Sequence, residues 1–222
     1  IFNAGPPAAP PRGSILTAGS GSGGLPLILK APLSEDDVRS LKLGQQVYID
    51  GPLFIGRDEV HMRALERRRE GKLLPVDMED GILYHCGPIV TRDAKGWKVI
   101  AAGPTTSARM NALEPDFIKE FGIRAIIGKG GMSRPTVDAM REHGCVYLAF
   151  TGGAAVLAAQ GIARVRGVEW LDLGMPEALW IVEAKHFGPL IVAIDAHGNS
   201  LYEKVEGEVR KNLPEAMRRS GL

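Results

Sequence analysis

Residues Ile123–Gly153, IRAIIGKGGMSRPTVDAMREHGCVYLAFTGG, decide how the rest of the chain is read. The compact apolar run Ile123 to Ile127 reads as a strand that stops at Gly128. Pro135, at an early helical position, opens a helix that runs to His143. Cys145 to Phe150 is strand-like again and leads into Gly152 and Gly153, and Ala154 to Val165 is Ala-rich and helical. Alternation of this kind builds a mixed α/β domain. Upstream, Ser34 with Glu35, Asp36 and Asp37 marks a helix start, an oxygen cap followed by acids in the first turn. Val47 to Ile49 reads as a short strand closed by Asp50-Gly51-Pro52, Asp58 to Glu70 as a helix, and Ile82 to His85 and Trp97 to Ala102 as strands. Downstream, Leu179 to Ala184 and Leu190 to Ile194 read as a closing pair of strands. Asp195 to Asn199 reads as a turn, and Glu206 to Arg219 as a charged surface helix.

Composition sets the outer limits. The 222 residues carry 27 Lys plus Arg against 26 Asp plus Glu, with 45% hydrophobic and 24% charged residues. That is an ordinary globular mixture with enough apolar material for its own core. Near-neutrality argues against a nucleic-acid binder, and no apolar run approaches the roughly 20 residues that span a bilayer. The two cysteines, Cys86 and Cys145, stand far apart and form no Cys-x-x-Cys pair. They supply neither a metal-cluster ligand set nor a disulfide framework, which points to a reducing, cytoplasmic setting. The five histidines show no His-x-x-x-His spacing, so no metal site is expected in this chain. Residues 1–32 are rich in Pro, Gly and Ser, with a Gly-Ser run at 19–24. They read as a flexible extension, leaving 33–222 as the folded domain.

Three segments share one design, in which a strand end is followed by small residues and then a cation. They are Gly56-Arg57-Asp58, Gly103-Pro104-Thr105-Thr106-Ser107-Ala108-Arg109, and Gly128-Lys129-Gly130-Gly131. Ligands in α/β folds gather at strand C-termini, where glycines let backbone amides approach an anion. Two Arg forks and a Lys point charge in one crevice suit a small polycarboxylate. Each residue alone has an ordinary reading: Arg57 pairing with Asp58 or Glu59, Thr105 to Ser107 capping a helix, Gly130-Gly131 making a turn. His61, one helical turn after Arg57, either lines the same crevice or caps and faces solvent. A nucleotide P-loop is excluded, because Gly122 to Lys129 has the wrong spacing and Gly130 stands where Ser or Thr would hold magnesium.

Five motifs in order carry a family resemblance: GRDEVHMR (56–63), GPTTSARM (103–110), GKGGM (128–132), TGGAA (151–155) and GMPEALW (174–180). Together they resemble the β subunit, or C-terminal domain, of class I fumarate hydratases and L(+)-tartrate dehydratases. The resemblance implies a swivelling β/β/α-type domain in an iron–sulfur hydro-lyase. It places a [4Fe–4S] cluster on a partner α subunit, in an α2β2 hetero-oligomer, and none on this chain. It makes Arg57, Arg109 and Lys129, with Thr106 and Gly130, the residues that hold a dicarboxylate. Thr105 becomes the catalytic base, with Thr106 as fallback. A Thr hydroxyl is a weak base unaided, so a carboxylate of the α subunit is expected to relay the proton. Fumarate hydration to L-malate leads. Tartrate dehydration follows, since Phe187 to Asn199 looks closer to the tartrate branch, and a non-catalytic dicarboxylate-binding subunit is the third expectation.

Overall fold

The computed structural model describes residues 27–94 and 96–220. The expected flexible extension lies outside them, apart from its last residues. Those depart from the expectation: β1 (Leu27–Lys30) pairs in parallel with β2 (Gln46–Gly56), and Leu29 is buried. Residues 27–30 thus belong to the sheet.

Helix α1 (Glu35–Ser40) lies between β1 and β2, and α2 (Asp58–Arg69), β3 (Ile82–His85) and the hairpin of β4 (Ile89–Asp93) with β5 (Gly96–Ala101) follow β2. A 3₁₀ turn spans Ser107–Met110. Then come α3 (Glu114–Phe121), β6 (Ala125–Gly128), α4 (Arg134–His143), β7 (Val146–Ala149), α5 (Ala155–Gln160), β8 (Ile162–Glu169), β9 (Leu179–Ile194) and α6 (Leu201–Arg219). Ser34 caps α1 through a capping box with Asp37, as its sequence promises.

Strands β1, β2, β3, β6 and β7 lie parallel in that order, and antiparallel β9 pairs with both β7 and β2. The sheet therefore closes on itself as a barrel. Alternation along each strand divides the apolar residues between two cores. Ile82, Tyr84, Ile127, Val146 and Leu148 point to the barrel interior with Trp180 and Phe187. Leu83, Ile126 and Tyr147 point outward, under α2, α3 and α4, against Val60, Phe117 and Met140. Burial on both faces is why β3 and β6 read as unbroken apolar runs.

Three local readings are corrected. The Asp50-Gly51-Pro52 segment does not end a strand. β2 runs through it by a register shift between Ile49 and Gly51, where Gly51 takes φ 111°. The expected helix Ala154 to Val165 stops after six residues, and β-branched Ile162, Val165 and Val168 fall in β8. The two expected closing strands are one strand of 16 residues. β4 was not anticipated at all. The charged helix does form, and begins earlier, at Leu201 behind a Ser200 cap. Among the described residues no helix is long and apolar enough to cross a membrane.

Candidate active site

Parallel strands bring their C-terminal ends to one side of the barrel; two cation-bearing segments leave from that side, and the third arrives there from the separate β4–β5 hairpin. Arg57 follows β2 and precedes α2, the Pro104–Met110 segment follows the β5 hairpin, and Lys129 follows β6. Thr105 to Ser107 is threaded between the ends of β3 and β6. The Thr105 N–H donates to the His85 carbonyl at 2.7 Å, and the Ser107 N–H donates to the Lys129 carbonyl at 3.0 Å. Short bridges join Cys86 to Pro104 and Thr106 to Lys129. Thr105, Thr106, Lys129 and Gly130 therefore meet, as expected from the sequence. Thr106 and Gly130 are exposed, while Thr105 and Lys129 are half-buried. The exposed Thr151-Gly152-Gly153 loop after β7 borders them, close to the Lys129 stem.

Arg57 and Arg109 join the same shelf, each already paired with a carboxylate. Arg109 is 53% exposed in its side chain and meets Asp58 at 3.0 Å, so it lies beside the residue that follows Arg57. Arg57 does not pair with Asp58 or Glu59. It donates to Glu177, 120 residues away in the GMPEALW segment, which also accepts from the Glu59 N–H at 3.4 Å. Gly87 makes room for this, since a Cβ there would stand 2.9 Å from the Arg57 guanidinium carbon. Lys129 has no ion-pair partner among the described residues. The shelf thus offers one free ammonium and two guanidinium groups, each held by a part-buried carboxylate that an incoming dianion would compete with.

Directly beneath lies a buried polar group that spacing alone did not reveal. His61, His85, Ser107, Glu114 and Tyr147 are all fully buried. His61 is neither a cap nor a solvent-facing residue. Its Nδ1 donates to the Arg57 carbonyl at 2.9 Å and its Nε2 reaches Glu114 Oε2 at 3.2 Å. His85 Nε2 contacts the same oxygen at 3.0 Å, off the line of a well-formed hydrogen bond. His85 Nδ1 and Ser107 Oγ are 2.9 Å apart, and Ser107 Oγ accepts from the Tyr147 hydroxyl at 2.9 Å. Gly128 leaves the space for this hydroxyl, because a Cβ there would lie 1.9 Å from Ser107 Oγ.

Burial pushes the Glu114 carboxyl up, but the two imidazoles more than reverse it and hold it down at about 2. Burial pushes both imidazoles down. At His61 the Glu114 carboxylate prevails and the net direction is up, whereas at His85 burial prevails and the net direction is down. The Glu114 carboxylate thus favours the charged form of His61, and burial favours the neutral form of His85. The tautomers are set by the network: His85 carries its proton on Nε2, facing Glu114, and its Nδ1 accepts from Ser107. His61, His85 and Glu114 are also donors of the type that hold a divalent metal, and they come from three separate elements. Two signals could have exposed this group. His61 shares the apolar face of α2 with Val60, Ala64 and Leu65, and His85 ends a wholly buried strand.

The cysteines do not fit an iron–sulfur cluster. Both are buried, with Cys86 pushed up to about 12 by burial and Cys145 pushed up as well. They sit after β3 and before β7, at opposite ends of a parallel sheet.

Comparison with known proteins places the chain in a family. Residues 17–205 match the family described as Fumarase C-terminus. A protein of Methanocaldococcus jannaschii, provisionally named L(+)-tartrate dehydratase subunit beta, is 47% identical over 184 residues, 82% of this chain and 94% of that protein. A Geobacillus stearothermophilus protein, provisionally named fumarate hydratase class I, is 45% identical over 81% of this chain. The match covers 34% of that longer protein. The L(+)-tartrate dehydratase subunit beta of Escherichia coli is 39% identical over 78% of this chain and 85% of its own length. These matches lead to one conclusion: the chain belongs to the Fumarase C-terminus family.

Proposed function

We propose that this chain is the β-type part of a hydro-lyase that interconverts fumarate and L-malate. The observation that supports the reading is the placement of Arg57, Arg109 and Lys129 on linked loops with Thr105 and Thr106, where Thr106 bridges to Lys129 and Arg109 pairs with the residue after Arg57. Two carboxylates of a four-carbon acid have two forks and a point charge to bind, with Gly130 and Thr106 at the rim. Thr105, half-buried and held by its backbone to His85, is the group that takes the proton from the substrate carbon. Its hydroxyl needs a stronger acceptor behind it, and this role falls to a carboxylate of a partner subunit. The shelf is open to one side, and the two buried thiols do not suit a cluster. We therefore assign a [4Fe–4S] cluster to an α partner, in an α2β2 assembly, and leave events at the hydroxyl-bearing carbon to that subunit.

A second reading, L(+)-tartrate dehydration, is supported by the names of two relatives. A third makes the chain a dicarboxylate-binding subunit without chemistry. Anaerobic co-purification from the source, with assays on L-malate, fumarate and L-tartrate, separates them. A coloured partner and conversion of malate support the first reading. Preference for tartrate selects the second. A colourless, inactive chain that binds dicarboxylates selects the third.

A further inference from the structure

The five buried polar side chains beneath the shelf touch every element that carries it. His61 holds the Arg57 carbonyl with both its ring Nδ1, at 2.9 Å, and its backbone N–H, at 3.1 Å. His85 holds Thr105 through its own carbonyl and Ser107 through its ring. Ser107 holds the Lys129 carbonyl and sits in the space left by Gly128. Glu114, on α3, is where the two histidine arms meet. Tyr147, on β7, closes the far end.

Stability alone does not call for this arrangement. A buried ionic group replaced by apolar residues of similar volume is often neutral or stabilising, whereas a buried ion with a missing partner is costly. A polar chain of this kind has the advantage of direction: each hydrogen bond admits a narrow range of angles, so the loops it joins are fixed relative to one another. Hydrogen bonds run from Tyr147 to Ser107 to His85 and from His61 to Glu114, and the His85 ring meets the same Glu114 oxygen by a 3.0 Å contact.

We infer that the Glu114–His85–Ser107 chain, with His61 and Tyr147 at its ends, is a positioning device that sets the spacing of Arg57, Thr105 and Lys129. Glu114 is its central positioning residue. It touches no substrate and acts through the loops above it. The inference rests on the hydro-lyase reading only for its kinetic consequence. Its geometric consequence stands without it.

The test compares wild type, Glu114→Gln, Ser107→Ala and Tyr147→Phe, each as the full chain in the assembly in which it purifies. Hydrogen exchange is followed at the Thr105 and Ser107 amides. In Glu114→Gln and Ser107→Ala these amides exchange about tenfold faster, while β6 and β7 stay protected. In the holoenzyme, kcat on the dicarboxylate falls about 100-fold in Glu114→Gln with a smaller change in KM, since loops misplaced by a fraction of an ångström still bind but no longer align. Tyr147→Phe gives the mildest effect. Unchanged exchange at Thr105 and Ser107 in a folded Ser107→Ala chain overturns the inference. So does one equivalent of zinc bound to the wild-type chain, because the imidazoles would then be metal ligands. Wild-type enzyme inactive on fumarate, malate and tartrate would refute the hydro-lyase reading. The exchange data would then judge the network alone.

Discussion

The shelf and the layer beneath it hold similar residue types in opposite conditions. On the shelf, Arg57–Glu177 and Arg109–Asp58 keep part of each side chain in contact with water, with Arg109 the most exposed, so a ligand's carboxylates can compete for these guanidinium groups. Below, His61–Glu114–His85 is fully buried, where a charge is expensive and its partners cannot be exchanged. The contrast divides the labour. Exposed charges recognise, because their present partners are weakly held. Buried charges locate, because theirs are not. A substitution on the shelf is therefore expected to change turnover and leave folding alone, and one below it to change both.

The largest effect is expected at Thr105. Thr105→Val keeps the shape and removes the hydroxyl, and should lower kcat by roughly 100-fold or more with KM nearly unchanged, measured in steady state on the assembled enzyme. An unchanged kcat would remove the residue from proton transfer. Arg109→Ala follows, with about 100-fold lost from kcat/KM for two charge-assisted hydrogen bonds and no shift in melting temperature. Gly128→Ala probes the boundary between the two layers. The new methyl group must displace Ser107 Oγ, and destabilisation of about 3 kcal/mol is expected in denaturant titration.

The buried layer also sets a pH window. Glu114 is depressed to about 2 from 4.5, so its contribution is complete above pH 4.5 and is lost as pH falls toward 2. His85, lowered from 6.5, contributes less as pH drops below 6.5. His61, raised from 6.5, contributes fully below 6.5 and less as pH climbs through its folded value. All three place the maximum near pH 6.5, and Glu114→Gln should flatten the acid limb of a melting-temperature profile. An equally steep acid limb in the variant would show that other groups dominate. The smallest effect is expected at Asp58→Asn: a few-fold change in KM, since it frees Arg109 without removing it.

Local chemistry wrote most of what the sequence disclosed. Glycine after an apolar run, Pro135 at a helix start and Ser34 before three acids each act within a few residues. The strand ends before Thr105 and Lys129 are accordingly legible, while the one before Arg57 is not, because β2 continues through Asp50-Gly51-Pro52 to Gly56. The chain hid what depends on distant partners. β9 looked like two strands because Gly188 and Pro189 interrupt the apolar pattern while the strand continues against β2. Ala154 to Gln160 extended a helical reading over residues that β9 draws into β8. Glu177 and Glu114 gave no local sign of their roles. A carboxylate that pairs across 120 residues, or is buried between two histidines, looks in sequence like any other acid.

The account rests most directly on the shelf as a dicarboxylate site, and side-by-side anaerobic fumarate hydration by enzyme assembled with wild-type or Arg109→Ala chain tests it. The expected result is malate formation by the wild type and about 100-fold less by a variant that folds and assembles equally well. Equal rates from the two enzymes, or a wild type that binds fumarate without hydrating it, would contradict it.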